Sequence, residues 1–165
     1  MTLGIWIRAK RGQCCLIDRE DQDLAEFTWY IGRKGDFLAF PAGYQKRPRT
    51  RSHLSLHRVI CERVHGPLAG RLADHINRDR TDNRRENLRW CSAEQSNQNR
   101  RGMGTISGYK GVFVQNCKKN PYKVTLEVNG RTVALGGFPT AIDAARAYDV
   151  AARRFHGEFA VINNA

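Results

Sequence analysis

Long apolar runs are missing from this chain of 165 residues. No stretch approaches the roughly 18 apolar residues that a membrane-crossing helix needs. The N-terminus also has no apolar core of the kind that directs secretion. Paired cysteines are missing too: the five cysteines, at 14, 15, 61, 91 and 117, are odd in number and form no Cys-x-x-Cys pair. That pattern argues against a disulfide framework or a four-thiolate metal site. The spacing of His53, His57, His65 and His75 matches no zinc-finger pattern, so a structural zinc is not expected. Acidic residues are few, 16 against 28 Lys and Arg, for a net charge of +12. Lysine is absent from residues 51–107, where all eleven basic residues are arginine.

The positive excess is spread rather than confined to a tail. Residues 1–50 carry nine basic and six acidic groups, 51–107 eleven and six, and 108–165 eight and four. Basic charge distributed over folded segments is the footprint of a nucleic-acid partner. A central segment of arginine alone favours bidentate phosphate or base contacts over general solubility.

The densest chemistry lies between Leu72 and Arg100. Asp74-His75 is followed twelve residues later by Asn87-Leu88, then by Ser96-Asn97. A carboxylate supplies a hard oxygen ligand for a divalent ion. An adjacent imidazole takes a proton from water near neutral pH. Neighbouring arginines hold phosphates, with Arg58, Arg84, Arg85 and Arg89 as the candidate clamps. These are the parts required to hydrolyse a phosphodiester. Asp79 and Asp82 read as turn formers, His57 as a packed helix residue, and Trp6, Trp29 and Trp90 as core.

The pattern predicts an α+β chain. Residues 1–50 alternate in short runs and predict a small antiparallel sheet, followed by a basic loop over Gln45–Arg51. Helical periodicity covers Leu54 to Val64 and ends at Gly66-Pro67. Leu72–Ile76 and Asn87–Trp90 predict strands around a turn-rich loop, and Ser92-Ala93-Glu94-Gln95 has the form of a capping box opening a helix. Residues 98–107 read as a basic linker in which Arg100 and Arg101 could follow a phosphate backbone.

Further on, Gly111–Val114 and Tyr122–Val128 predict strands, and Asn129-Gly130 a type I′ hairpin returning through Arg131–Leu135. A Val128–Arg131 pair places Val133 and Leu135 on the face of Tyr122, Val124, Leu126 and Val128. Lys123, Thr125, Glu127, Thr132 and Ala134 then lie on the other face. Thr140–Asp143 opens a helix whose predicted inner face is Ile142, Ala145, Tyr148, Ala152 and Phe155, closed by Gly157.

Leu56-His57-Arg58, Asp74-His75-Ile76-Asn77, Asp82-Asn83 and Glu86-Asn87-Leu88-Arg89-Trp90 together resemble the HNH (His-Me finger) endonucleases of phage and intron homing type. Ser107-Gly108-Tyr109-Lys110-Gly111-Val112, Leu135-Gly136-Gly137-Phe138-Pro139-Thr140, Asp143–Asp149, Ala151-Ala152, Gly157 and Asn163 resemble the APETALA2/ethylene-response-factor DNA-binding domain. The run Leu16–Asp21 followed by Trp29 is similar to the leader of prokaryotic and phage proteins that join these two modules. The resemblance implies four parts: a β-rich leader (1–50), a ββα-metal nuclease module (51–97), a linker (98–107) and a three-stranded sheet packed on one helix (108–165).

It also implies roles. Asp74 is a metal ligand, His75 the general base and Asn87 the residue that holds the loop and orients the histidine. The final metal ligand, nine residues beyond Asn87, is normally His or Asn. Here it is either Ser96 or, with a one-residue shift, Asn97; otherwise the metal site is weakened. The implied cofactor is Mg²⁺ or Mn²⁺ and the implied partner double-stranded DNA, bound in part through Lys110, Lys123 and Arg131. The sheet departs from its family: Phe113, Glu127 and Thr132 stand where arginines are usual, which implies modest sequence discrimination. One such nuclease site cuts one strand, so a monomer would nick and a dimer could cut both, and the oligomeric state stays open. The expected location is the cytoplasm of a bacterial or phage-infected cell. The alternative reading is a non-catalytic DNA-binding regulator whose metal finger has degenerated.

Overall fold

A computed structural model describes residues 4–39, 53–100 and 105–165, so the expectations for the 45–51 loop and for Arg101 lie outside the described residues. The chain is α+β and divides into two compact units, Met1–Ser92 and Ala93–Ala165.

The first unit opens with a hairpin of β1 (Ile5–Arg8) and β2 (Cys14–Ile17). A 3-10 segment, Arg19–Glu26, leads to β3 (Trp29–Ile31) and β4 (Phe37–Ala39), which pair with β5 (Leu54–Ser55) in the order β3-β4-β5. Helix α1 (Leu56–His65) starts two residues later than its periodicity predicts, because Leu54 and Ser55 are drawn into pairing with Ala39 and Leu38. Gly66, at φ 74°, closes it. Strands β6 (Leu72–His75) and β7 (Leu88–Cys91) form the next hairpin. Asn87 falls in a 3-10 turn before β7 instead of opening that strand.

Alternation explains the core of this unit. Ile7, Cys15, Ile17, Trp29, Phe37 and Ala39 point inward from their strands and meet Leu56, Ile60 and Cys61 of α1. Burial pushes the thiols of Cys15 and Cys61 up to about 12, so both behave as small apolar groups. Trp29 is buried and its indole N–H donates to the Leu24 carbonyl at 2.7 Å. Trp90 is half-buried at the core margin, bonded to the Gly66 carbonyl at 3.1 Å. Trp6 is 65 % exposed and not part of the core, because β1 sits in a two-stranded sheet whose outer face has nothing packed on it among the described residues.

The second unit begins with the short helix α2 (Ala93–Gln98). A sheet of order β10-β9-β8 follows, built from β8 (Val112–Val114), β9 (Tyr122–Val128) and β10 (Arg131–Phe138), with α3 (Ala141–His156) across one face. Val128 pairs with Arg131, as the Asn129-Gly130 turn requires, and both turn residues take positive φ. A bulge between Ala134 and Gly136 shifts the register and leaves Leu135 as the extra residue.

Thr140 caps α3, its hydroxyl oxygen accepting the Asp143 N–H at 3.1 Å. The buried face of α3 is Ala144, Ala145, Tyr148, Ala151 and Ala152; Ile142 and Phe155, predicted on it, are about half exposed. The alanines bring the helix close to the sheet and turn that stripe inward, which rotates the larger end residues out.

Gly111 sits beneath this helix at φ 73°, where a Cβ would overlap the Tyr148 ring and lie 2.9 Å from the Thr125 carbonyl. Gly111→Ala is expected to destabilise the C-terminal unit by about 2–4 kcal/mol, from backbone strain and overpacking together. Chemical denaturation followed through the unit's tyrosines measures it.

Candidate active site

Antiparallel register places the reactive pair. Asp74 lies across from Arg89 and His75 across from Leu88, so the carboxylate and the imidazole leave neighbouring positions of β6 on opposite faces. The Asp74 Oδ2 lies 3.3 Å from Arg89 Nε and 3.4 Å from Nη2. This largely buried cross-strand ion pair fixes the direction of the carboxylate. His75 is only 7 % exposed.

The loop between the two strands is held by amides. Asn87 Oδ1 accepts the Asn77 N–H at 3.0 Å, while its Nδ2 donates to Asn77 Oδ1 at 2.9 Å and to the Asp82 carbonyl at 2.7 Å. Asn77 Nδ2 donates to Asp82 Oδ2 at 2.9 Å, and Arg84 grips Asp82 in bidentate fashion, both bonds 2.8 Å. Asp79 accepts from the Thr81 amide and hydroxyl, so Asp79 and Asp82 both act as turn formers. Arg78 takes a positive φ of 65° and donates its N–H to the His75 carbonyl, closing the first turn.

Asn83 reaches the histidine. It is 1 % exposed, its Nδ2 donates to the Arg80 carbonyl at 3.0 Å, and its Oδ1 lies 3.2 Å from His75 Nε2. Because the amide nitrogen is committed to a carbonyl, the oxygen faces the ring. Nε2 must then carry the proton, which puts the lone pair of the neutral imidazole on Nδ1. The backbone of Asn83 is fixed in turn, its N–H donating to the Leu16 carbonyl at 2.8 Å, with Leu16 N–H bonded to the Thr81 carbonyl at 2.7 Å. Strand β2 thus braces the loop through a parallel Leu16–Asp82 bridge.

His57, read from the sequence as a packed helix residue, lies with its ring centroid 5.2 Å from that of His75, and its Nδ1 is 3.1 Å from Ser55 Oγ. Burial and, next, the neighbouring His75 pull the His57 imidazole down to about 4. Burial also lowers His75, partly offset by its bond to Asn83. A neutral His75 is the form able to accept a proton. The sequence signal for these two neighbours was present, in Asp82-Asn83 and Leu56-His57-Arg58, but nothing in the spacing shows that a loop and the start of α1 reach one ring.

Asp74, His75, Asn87, Arg84 and Arg89 all belong to this hairpin and its loop. Arg85 turns elsewhere: its Nε and Nη2 bind Asp21, which is 0 % exposed and also accepts from Arg63, and its backbone N–H bonds Asp18. Arg58 is exposed and paired with Glu62 one turn on. Ser96 and Asn97 belong to α2, the Arg100 carbonyl accepts from Lys110 Nζ, and Lys123 and Arg131 are exposed on β9 and β10.

Among the described residues no three or more His, Cys, Asp or Glu side chains gather as a metal cluster. Asp74 offers a carboxylate oxygen of the kind that a hard divalent cation takes.

Residues 55–98 match the family model described as HNH endonuclease. The chain is also 30% identical, over 142 residues, to an uncharacterized HNH endonuclease of Acanthamoeba polyphaga mimivirus, a match covering 85% of this chain and 68% of the relative. No solved structure matches. The chain belongs to the HNH endonuclease family, and its activity is that of a nuclease, a phosphodiester hydrolase acting on DNA. Members of the family generally use a divalent metal. No helix among the described residues is long and apolar enough to cross a membrane.

Two outcomes follow from the geometry. Unfolded imidazoles titrate near 6.5, whereas His57 and His75 titrate lower when folded. Their contribution to stability is therefore complete above pH 6.5 and is lost as the pH falls towards 4, which thermal melting across that range will show. Asn83→Ala is expected to slow DNA cleavage by roughly 10- to 100-fold, as loss of an orienting partner does. Duplex affinity, measured by fluorescence anisotropy, should stay within about twofold, since Asn83 is buried.

Proposed function

We propose that this chain is a divalent-metal-dependent, site-preferring DNA endonuclease of the homing type, with Mg²⁺ or Mn²⁺ as its ion and residues 108–165 as an APETALA2-type DNA-binding module. The observation that carries the reading is the adjacency of Asp74 and His75 on β6, with burial favouring the neutral imidazole and Asn83 Oδ1 facing its Nε2. His75 Nδ1 accepts a proton from the attacking water, and the oxygen so formed displaces the 3′ oxygen of a phosphodiester in line. Asn83 holds the protonated Nε2, and Asn87 holds the loop that carries both.

Asp74 and either Ser96 or Asn97 would hold the ion, which supplies charge stabilisation for the pentavalent phosphate and the leaving oxygen. Arg58, Arg84, Arg89, Arg100 and Arg101 are the phosphate contacts on the nuclease side, with Arg84 and Arg89 exchanging part of their carboxylate pairing for phosphate. Arg85, occupied with Asp21, serves the fold first. On the C-terminal module Lys110, Lys123 and Arg131 supply affinity through phosphates more than base readout. The viral relative is consistent with a mobile-element setting in an infected cell.

Nicking of supercoiled plasmid tests the reading. His75→Ala should reduce cleavage by about 10²-fold or more with duplex affinity nearly unchanged, and chelation should abolish it. An unaltered cutting rate in that variant sinks the mechanism. Ser96→Ala and Asn97→Ala, assayed across metal concentrations, identify the ligand as the variant whose metal requirement rises about tenfold or more.

A further inference from the structure

We propose that the outer face of the β1–β2 hairpin is a binding site for unpaired DNA, with the indole of Trp6 stacking on a base and Arg8, Lys10 and Arg11 holding phosphates. The inference goes beyond the cleavage reading and does not depend on the C-terminal module. It starts from Trp6, whose 65 % exposure contrasts with 1 % for Trp29. The indole N–H groups of Trp29 and Trp90 each donate to a carbonyl, whereas that of Trp6 has no bond among the described residues. Single exposed apolar side chains are ordinary on a protein surface. Trp6 differs in standing at the end of a row of cations.

Alternation carries Arg8, and Lys10 beyond it, to the same side as Trp6, because Ile7 and Ala9 between them are buried. Arg8 leans over the turn, its Nη2 3.7 Å from where a Cβ of Gly12 would stand, and Arg11 lies in the turn itself at φ 85°. Lys10 Nζ sits 5.4 Å from the centre of the Tyr30 ring. None of these three cations has an ion pair among the described residues, whereas Arg80, Arg84, Arg85 and Arg89 are each paired with a carboxylate. Asp18, Asp21 and Asp23, which follow the hairpin, are turned to Arg63 and Arg85. Cations without carboxylate partners beside an exposed indole suit a polyanion whose aromatic groups are accessible. A duplex hides the faces of its bases in its own stack, so the occupant is an unpaired strand.

The same face leads to the nuclease loop. Trp6 pairs with Leu16, and Leu16 with Asp82 through the parallel bridge, so the three residues form one row. Two strand spacings separate its ends, roughly 10 Å between backbone positions. Gly4 keeps the row low beside Trp6, since a Cβ there would stand 2.6 Å from Leu16 Cδ1. At the far end Arg84 grips Asp82, and the next residue, Asn83, meets His75. A strand opened at the loop therefore crosses Leu16 to reach Trp6 and then the cations at the hairpin tip.

Binding of labelled oligothymidylate, which cannot pair with itself, to the full chain in the presence of a chelator tests this. Trp6→Ala should weaken that binding about tenfold, the worth of one stacked base, while affinity for a blunt duplex stays within about twofold. Trp6→Phe should keep most of the affinity but lose the quenching of tryptophan emission that unlabelled oligothymidylate causes in the native chain. Arg8→Gln should lower the slope of log affinity against log salt by about 0.7, the share of one phosphate on a single strand. Unchanged oligothymidylate affinity in Trp6→Ala, or quenching that persists in Trp6→Phe, would overturn the inference. Equal losses for duplex and single strand would refute the assignment to unpaired DNA, and an unaltered salt slope would refute the phosphate contact of Arg8. No cleavage step enters these measurements, so their failure leaves the nuclease reading standing.

Discussion

The side-chain amide of Asn87 is the interaction on which the loop carrying Asn83 to His75 depends. The segment from Ile76 to Arg84 has no regular hydrogen-bond ladder of its own, yet it must hold a buried imidazole at one angle. Asn87 supplies a substitute ladder, accepting from the Asn77 backbone and donating to the Asp82 backbone from one planar group. With those two points tied to β7, the intervening residues close into turns through Asp79, Asp82 and Arg84. The family resemblance gives Asn87 both the holding of the loop and the orientation of the histidine, and the hydrogen bonds fall on two residues. Asn87 sets the loop, and Asn83, carried on the loop, meets the ring.

The N-terminal residues gain a purpose from the same constraint. A loop held only at its base would still move at its tip. Leu16 pairs with Thr81 and Asn83 through its backbone, and Asp18 and Asp21 bind Arg85, so the tip and the end of the loop are fastened to β2 and to the 3-10 segment after it. A buried carboxylate is costly unless guanidinium groups surround it, and Asp21 has two, from Arg63 and Arg85. Some of the arginine excess that the composition assigns to phosphate is therefore structural.

Much of the fold was legible because local chemistry and tertiary demand agree. The Asn129-Gly130 turn fixed the register of β9 and β10, Thr140 marked the start of α3, and Asp74-His75 fell on a strand as its flanking residues predicted. Errors arose where packing decides between equivalent patterns. Ile142 and Phe155 fit a helical stripe, but the alanines allow a closer approach and won the inner face. Trp6 has a core residue's chemistry but lies 65 % exposed on β1. His57 packs on α1 as predicted, but its ring contact with His75, 18 positions away, leaves no trace in spacing.

By itself, the sequence pointed to the reaction type, through a carboxylate, an imidazole and amides in an arginine-rich segment whose pattern resembles the HNH endonucleases. It determined the α+β class as well, because turn residues and apolar periodicity act over a few neighbours. Only the tertiary structure decided which nitrogen of His75 holds the lone pair, which arginines are spent on carboxylates, and where the ammonium of Lys110 goes. Those outcomes depend on hydrogen-bond direction and burial, which arise from groups brought together across tens of residues. Identity and spacing along the chain carry no record of them.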